Sequence, residues 1–208
     1  MPKLTELISK VRSQISDTKG VVFAPERQEE GETIQDELKS IVLDAVSDYS
    51  RWNPAQNRRG RIDVVIDQSD YELPPDFVGM EVEPSLSFLL SEKVLIMKES
   101  PTQAGSFSFF YKGMRTPESV PEYDVPAVVW LASANALRAV LADQERLQRY
   151  INYKIPNASE IDAHPASRVV EQINKAAQDL ERQYNKRMEP YQKAQLEVVA
   201  RGPYMTFG

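Results

Sequence analysis

The chain has 208 residues, 41% of them apolar and 27% charged, with a net charge of −6 and no cysteine. Without cysteine there is no disulfide, thiolate zinc site, iron–sulfur cluster or cysteine nucleophile. The acidic balance argues against a general affinity for nucleic acid or anionic membrane, both of which need a positive surface field, although a local basic patch remains compatible with it. Met1 to Glu6 does not read as a signal peptide, and no stretch reaches the ~18 consecutive apolar residues of a membrane span.

Leu4, Leu7, Ile8, Val11 and Ile15 recur at helical spacing and predict a short amphipathic helix that stops near Asp17–Gly20. Residues 21–31 form a connector with Pro25 and an acidic cluster of Glu26, Glu29 and Glu30 that runs on to Glu32, broken only by Arg27 and expected as a solvated loop. Thr33 is expected to open a second helix, with Asp36 three residues on as a capping-box variant. Ile34, Leu38, Ile41, Val42, Ala45, Val46 and Tyr49 would be its apolar stripe, and Pro54 ends it. After Gly60 the pattern turns to β. Residues 61–67 read as a strand with Val64 and Ile66 inward, and 70–77 as a proline bend. A strand interrupted at Pro84 is expected over 78–88. Strands at 93–98 and 106–111 are expected to be joined by a hairpin tip.

Helix returns after Pro121, with Asp124 as a candidate cap and Pro126 in the first turn. Between Pro126 and Leu141 Arg138 is the only charge, which fits a helix buried on several sides. The segment to about Tyr153 is charged and is expected to project from the core. A last helix runs from near Ser159 or His164–Pro165 to about Met188, with Val169, Val170, Ile173, Ala176, Ala177, Leu180 and Tyr184 as its stripe. The expected fold class is α+β, mainly α. A helical bundle core (residues 1–194) carries a small antiparallel β insert at about 61–113, followed by an extended C-terminal tail at 195–208.

Catalytic chemistry finds little support. The one histidine, His164, sits beside Pro165 in a connector and reads as a helix-start residue rather than a base. Asp63, Asp67 and Asp70 could in principle hold magnesium or form an acid pair. Their alternation, like that of Glu81 and Glu83, is also that of the exposed face of a half-buried strand. The eight glycines form no phosphate-binding loop. No catalytic, cofactor or metal residue is assigned. The one basic cluster is Arg51, Arg58, Arg59 and Arg61, with Trp52 and Asn57 beside it. It reads as a contact for nucleic-acid phosphates or an acidic partner, or as a solvated loop paired to nearby acids.

The order of parts resembles the head-to-tail adaptor (connector, or head-completion) proteins of tailed bacteriophages. The resemblance rests on a helix ending in Tyr49-Ser50-Arg51-Trp52-Asn53-Pro54 and a β insert that carries Tyr71-Glu72-Leu73-Pro74-Pro75-Asp76-Phe77 early in its length. It rests also on the step Pro121-Glu122-Tyr123-Asp124 leading into the alanine-rich helix 127–143, and it covers roughly residues 33–150. The resemblance implies a structural virion protein without enzymatic activity, made in the host cytoplasm and placed in the neck between capsid and tail. It would form a homo-oligomeric ring, usually twelve-fold, docked beneath the portal protein and above tail or nozzle proteins. DNA would thread it with only transient, non-specific contact, and no membrane or cofactor would be involved. A tail with Val198, Val199, Arg201, Tyr204, Met205 and Phe207 then reads as a portal-binding segment, or else as a frayed chain end. Another neck or tail-completion protein, or an enzyme using the three aspartates with a divalent metal, are the competing readings.

Overall fold

The computed structural model describes residues 3–29, 32–81, 88–91, 93–154 and 165–201, without the side chains of 165–166 and 195–201. The fold is mixed α+β, with five α-helices and eight strands among the described residues. The chain divides into two units, one of residues 1–48 and 116–208, the other of residues 49–115.

In the first unit, α1 (Leu4–Gln14) buries Leu7, Ile8 and Val11, the predicted stripe. It ends at Gln14 rather than at Gly20; Ser16 takes the positive φ of 58° that leaves the helix. Gly20 serves the next turn instead. Its φ is 67°, and a side chain there would meet Pro25 Cδ at 2.9 Å. The acidic connector is a β-hairpin of β1 (Arg27–Glu29) and β2 (Glu32–Ile34), exposed throughout. Helix α2 (Leu38–Trp52) therefore starts later than the expected Thr33, and Ile34 is not part of its stripe. Asp36 still caps it: the Leu38 N–H donates to Asp36 Oδ1 at 2.9 Å.

Helix α3 (Val125–Ala142) packs against α1, α4 (Gln144–Lys154) and α5 (Pro165–Arg201). Its nearly continuous apolar character follows from burial on most sides, Val128, Ala132, Ala134, Ala136 and Val140 being wholly inaccessible while Pro126 and Arg138 face water. It also has the length and apolarity of a membrane span, but 61% of that window is covered by the protein itself. The expected continuous helix to Tyr153 is broken at Asp143, which is extended (φ −116°, ψ 113°). Its carboxylate accepts the Glu145 and Arg146 N–H groups at 2.9 and 3.2 Å, making it the cap of α4. As expected, α4 is largely outside the core, burying only Ile151.

Helix α5 (Pro165–Arg201) buries Val169, Ile173, Ala177, Leu180, Tyr184 and Met188 on one narrow stripe, while Ala176 faces out. It does not stop near Met188 but runs through Pro190. Beyond the proline it is held by a Lys193–Glu189 ion pair at 2.6 Å, one turn apart, and by the Tyr191 hydroxyl on Asp124 at 2.8 Å. The expected extended tail from residue 195 is thus helical as far as Arg201. Residues 202–208, with Tyr204, Met205 and Phe207, lie outside the described residues, as do His164 and the expected strand interruption at Pro84.

The second unit holds two three-stranded antiparallel sheets. One is ordered β3 (Ala55–Val64), β8 (Gly105–Gly113), β5 (Phe77–Met80). The other is ordered β4 (Asp70–Glu72), β7 (Val94–Met97), β6 (Phe88–Ser91). Ile62, Phe109 and Tyr111 of the first sheet share a core with Tyr71 and Leu95 of the second and with Leu73. The expected hairpin of 93–98 with 106–111 does not form, since those strands lie in different sheets. Strand β8, whose Phe109 and Tyr111 point inward, instead pairs with the long β3 from Gly113 to Gly105. That pairing satisfies far more of its ladder than the four-residue β7 could. The strand expected at 61–67 starts at Ala55 and ends at Val64. Ile66 falls in the following turn and is 52% exposed rather than inward, and Asp67 takes a φ of 62°.

Candidate functional site

The arginine cluster lies on β3, a strand whose alternation decides what each arginine does. Gly60 and Ile62 are buried, so Arg59, Arg61 and Asp63 point outward and Arg58 lies on the inner side. The strand can come this close to β8 because Gly60 has no side chain. A Cβ there would stand 2.5–2.9 Å from the Phe109 ring, its cross-strand partner. A bulge at Asn57, with φ 58°, shifts the register between Ala55 and Arg58. The Asn57 N–H is taken by the Glu81 carboxylate at 2.7 Å.

Arg58 forms an ion pair with Asp76, and the Tyr111 hydroxyl donates to the other Asp76 oxygen at 2.9 Å. Burial, then the hydrogen bond to Asp76, pushes the Tyr111 phenol above its ordinary pKa. The Asp76 carbonyl also accepts the Met114 N–H at 2.6 Å. Asp76 belongs to the Leu73-Pro74-Pro75-Asp76-Phe77 bend, whose Phe77 N–H closes on Pro74 O at 2.9 Å. Leu73 fills the core, and Phe77 stacks on Tyr111 with ring centroids 5.8 Å apart. The bend therefore fastens β5 to β3 and β8, and Arg58 is part of that fastening rather than a free contact group. Arg115, which sequence reasoning passed over, ties the end of α2: its Nε donates to Asn53 O at 2.6 Å and its N–H to Ser50 Oγ at 3.0 Å. Arg51 is exposed in the last turn of α2.

What remains is a surface. Arg59 stands opposite Phe110, and Arg61 opposite Ser108. Phe110 is 52% exposed, and Lys112 follows on the same side of β8. Arg61 reaches Asp63 at 3.1 Å, but both side chains are more than two-thirds in water, so the pair holds little energy. Among the described residues, none of the ion pairs uses Arg59 or Lys112. Phe110 was missed because an exposed and a buried phenylalanine look alike in Phe107-Ser108-Phe109-Phe110-Tyr111. Its break with the alternating pattern was the available signal.

The three aspartates do not converge. Asp63 is the last residue but one of β3, Asp67 sits in the turn, and Asp70 opens β4 with its carboxylate on the Ser69 hydroxyl at 3.2 Å. Among the described residues no group of three histidine or acidic side chains could hold a metal ion. In the helical unit an open groove of about 730 Å³ runs along α1 and the start of α3, lined by Glu6, Lys10, Glu122 and Trp130 among others. Its Lys10 and Glu6 are paired at 2.7 Å, an arrangement that lowers the Glu6 pKa. Of the expected tail residues, Val198, Val199 and Arg201 fall in the last turns of α5. Comparison with protein-family models and with curated proteins returns no match.

Proposed function

We propose that the chain is a structural virion protein, a head-to-tail adaptor that assembles as a ring between the phage portal and the tail and lets DNA pass. The observation that carries this reading is the order of parts. A β unit is inserted between two segments of a helical unit, carries the Leu73–Phe77 bend in its first half and is followed by Pro121–Asp124, which leads into the apolar helix α3. Two of the short sequence features behind the resemblance have physical work to do. The bend supplies Asp76 to Arg58 and Tyr111. Asp124 does not cap α3 but is fully buried and accepts from Arg187 Nε and the Tyr191 hydroxyl, each at 2.8 Å. It thereby ties the entry of α3 to the far part of α5. In this reading residues 195–208 reach the portal.

The test is co-assembly of the full chain with a portal ring from the same genome, viewed by electron microscopy, with and without residues 195–208. Added ring density that vanishes on deletion supports both the adaptor and its anchor. Absence of density with either form overturns the portal partnership and favours another neck or tail-completion component.

A further inference from the structure

We propose that the outward face of the β3–β8–β5 sheet is an interface for a second copy of this chain, which presents its acidic β1–β2 hairpin to it. The inference deepens the ring part of the adaptor reading by naming the two surfaces that meet.

The sheet face is cationic around an apolar centre. Arg59 and Arg61 project from β3, Lys112 from β8, and Phe110 stands half in water among them; Asp63, beside Arg61 at 3.1 Å, is the acid that β3 adds to this face, which stays positive on balance. An exposed aromatic ringed by arginines is the composition of an interface anchor, since desolvating the ring supplies energy and the guanidinium groups supply orientation. The hairpin has the opposite character. Its register sets Glu29 directly against Glu32, and Glu26 precedes the first strand, all exposed; Arg27, on the same face, pairs with Glu29 at 3.0 Å, an exposed contact that offsets little of the acidic charge. Like charges facing each other across a ladder destabilise it, and a two-stranded hairpin alone is marginal. A cationic surface laid against Glu29 and Glu32 removes that repulsion. Ile34, 36% exposed on the side shared with Glu32, gives Phe110 an apolar counterpart. The net charge of −6 disfavours the alternative occupant, a nucleic-acid backbone, because the chain as a whole repels a polyanion. Because hairpin and face are different patches, the contact is head-to-tail, the kind that closes into a ring when its rotation allows.

The experiment is sedimentation velocity of the full chain at low and high salt, with charge reversals on each side. The wild type should self-associate at low salt and dissociate as salt rises. Arg59→Glu with Arg61→Glu should weaken association by about tenfold or more, as should Glu29→Arg with Glu32→Arg, and mixing the two variants should restore it. Arg59→Gln with Arg61→Gln gives a neutral check on folding, followed by thermal melting. A wild type that stays monomeric at low salt and millimolar concentration overturns the proposal, as does association that survives both reversals or is not restored on mixing. Loss of duplex DNA binding in the Arg59/Arg61 variant with association intact also overturns it, in favour of a nucleic-acid face. Portal-ring density is scored separately. Density that persists when the reversals have no effect sinks the interface and spares the adaptor. Clean charge rescue without portal density does the reverse.

Discussion

Each unit is fastened by an arginine paired with a carboxylate, and the two fastenings differ in their access to water. In the helical unit the Arg12 side chain is 10% exposed and Asp17 wholly buried. Arg12 donates to Asp17 at 3.2 Å, Asp36 at 2.8 Å and the Phe23 carbonyl at 2.8 Å. Asp17 also accepts the N–H groups of Val21, Val22 and Phe23. In the β unit Arg58 keeps a third of its side chain in water, and Asp76 a quarter. A charge left behind in the first place cannot be hydrated; in the second it can. The same residue pair is thus a structural necessity in one unit and a replaceable brace in the other.

The sharpest test of that difference is Arg12→Ala, expected to cost the helical unit about 3–5 kcal/mol by stranding the Asp17 charge. Hydrogen exchange resolved by peptide should show the loss over 4–48 and spare 55–115. The β unit should be more sensitive to packing. Gly60→Ala drives a Cβ into the Phe109 ring, which is 4% exposed and stacked on Phe107 at 5.7 Å, so it cannot swing away. A loss of about 1–3 kcal/mol is expected in the exchange of β3 and β8. Arg58→Ala should cost less than Arg12→Ala, about 1–2 kcal/mol in the same assay. Equal costs would show that water access does not separate the two fastenings.

The smallest effect is one of pH. Burial and the hydrogen bond to Asp124 push the Tyr191 phenol up to about 12, from an ordinary value of 10.0. Burial and Asp48, whose carboxylate takes the Tyr184 hydroxyl at 2.9 Å, raise Tyr184 as well. Between those values the unfolded chain has released its protons and the folded chain still holds them. Stability contributed by these groups is therefore intact below pH 10 and falls as pH rises toward 12. Tyr191→Phe should flatten part of that decline in pH-dependent melting of the helical unit, whereas Arg58→Ala should leave it unchanged.

Much of the helical unit was legible because a stripe at helical spacing has one physical meaning. Leu7, Ile8 and Val11, then Leu38, Val42 and Ala45, then Val169, Ile173 and Leu180 are all buried as their spacing requires. Helix limits were less so, since Asp143 breaks a chain of good helix formers by accepting the Glu145 and Arg146 N–H groups, and Tyr191 carries α5 past a proline by reaching Asp124. In the β unit the sequence located most of the strands but not their partners, and register within a sheet is a long-range choice.

The arginine cluster shows the same boundary at single-residue scale. Composition and spacing by themselves determined that Arg58, Arg59 and Arg61 cluster at the start of the expected strand in an otherwise acidic chain. Only the tertiary structure decided that Arg58 turns inward to Asp76 while Arg59 and Arg61 face water beside Phe110. The reason is that a strand's two faces are equivalent until a partner strand and a core claim one of them, and here Phe109, closing over Gly60, made that choice.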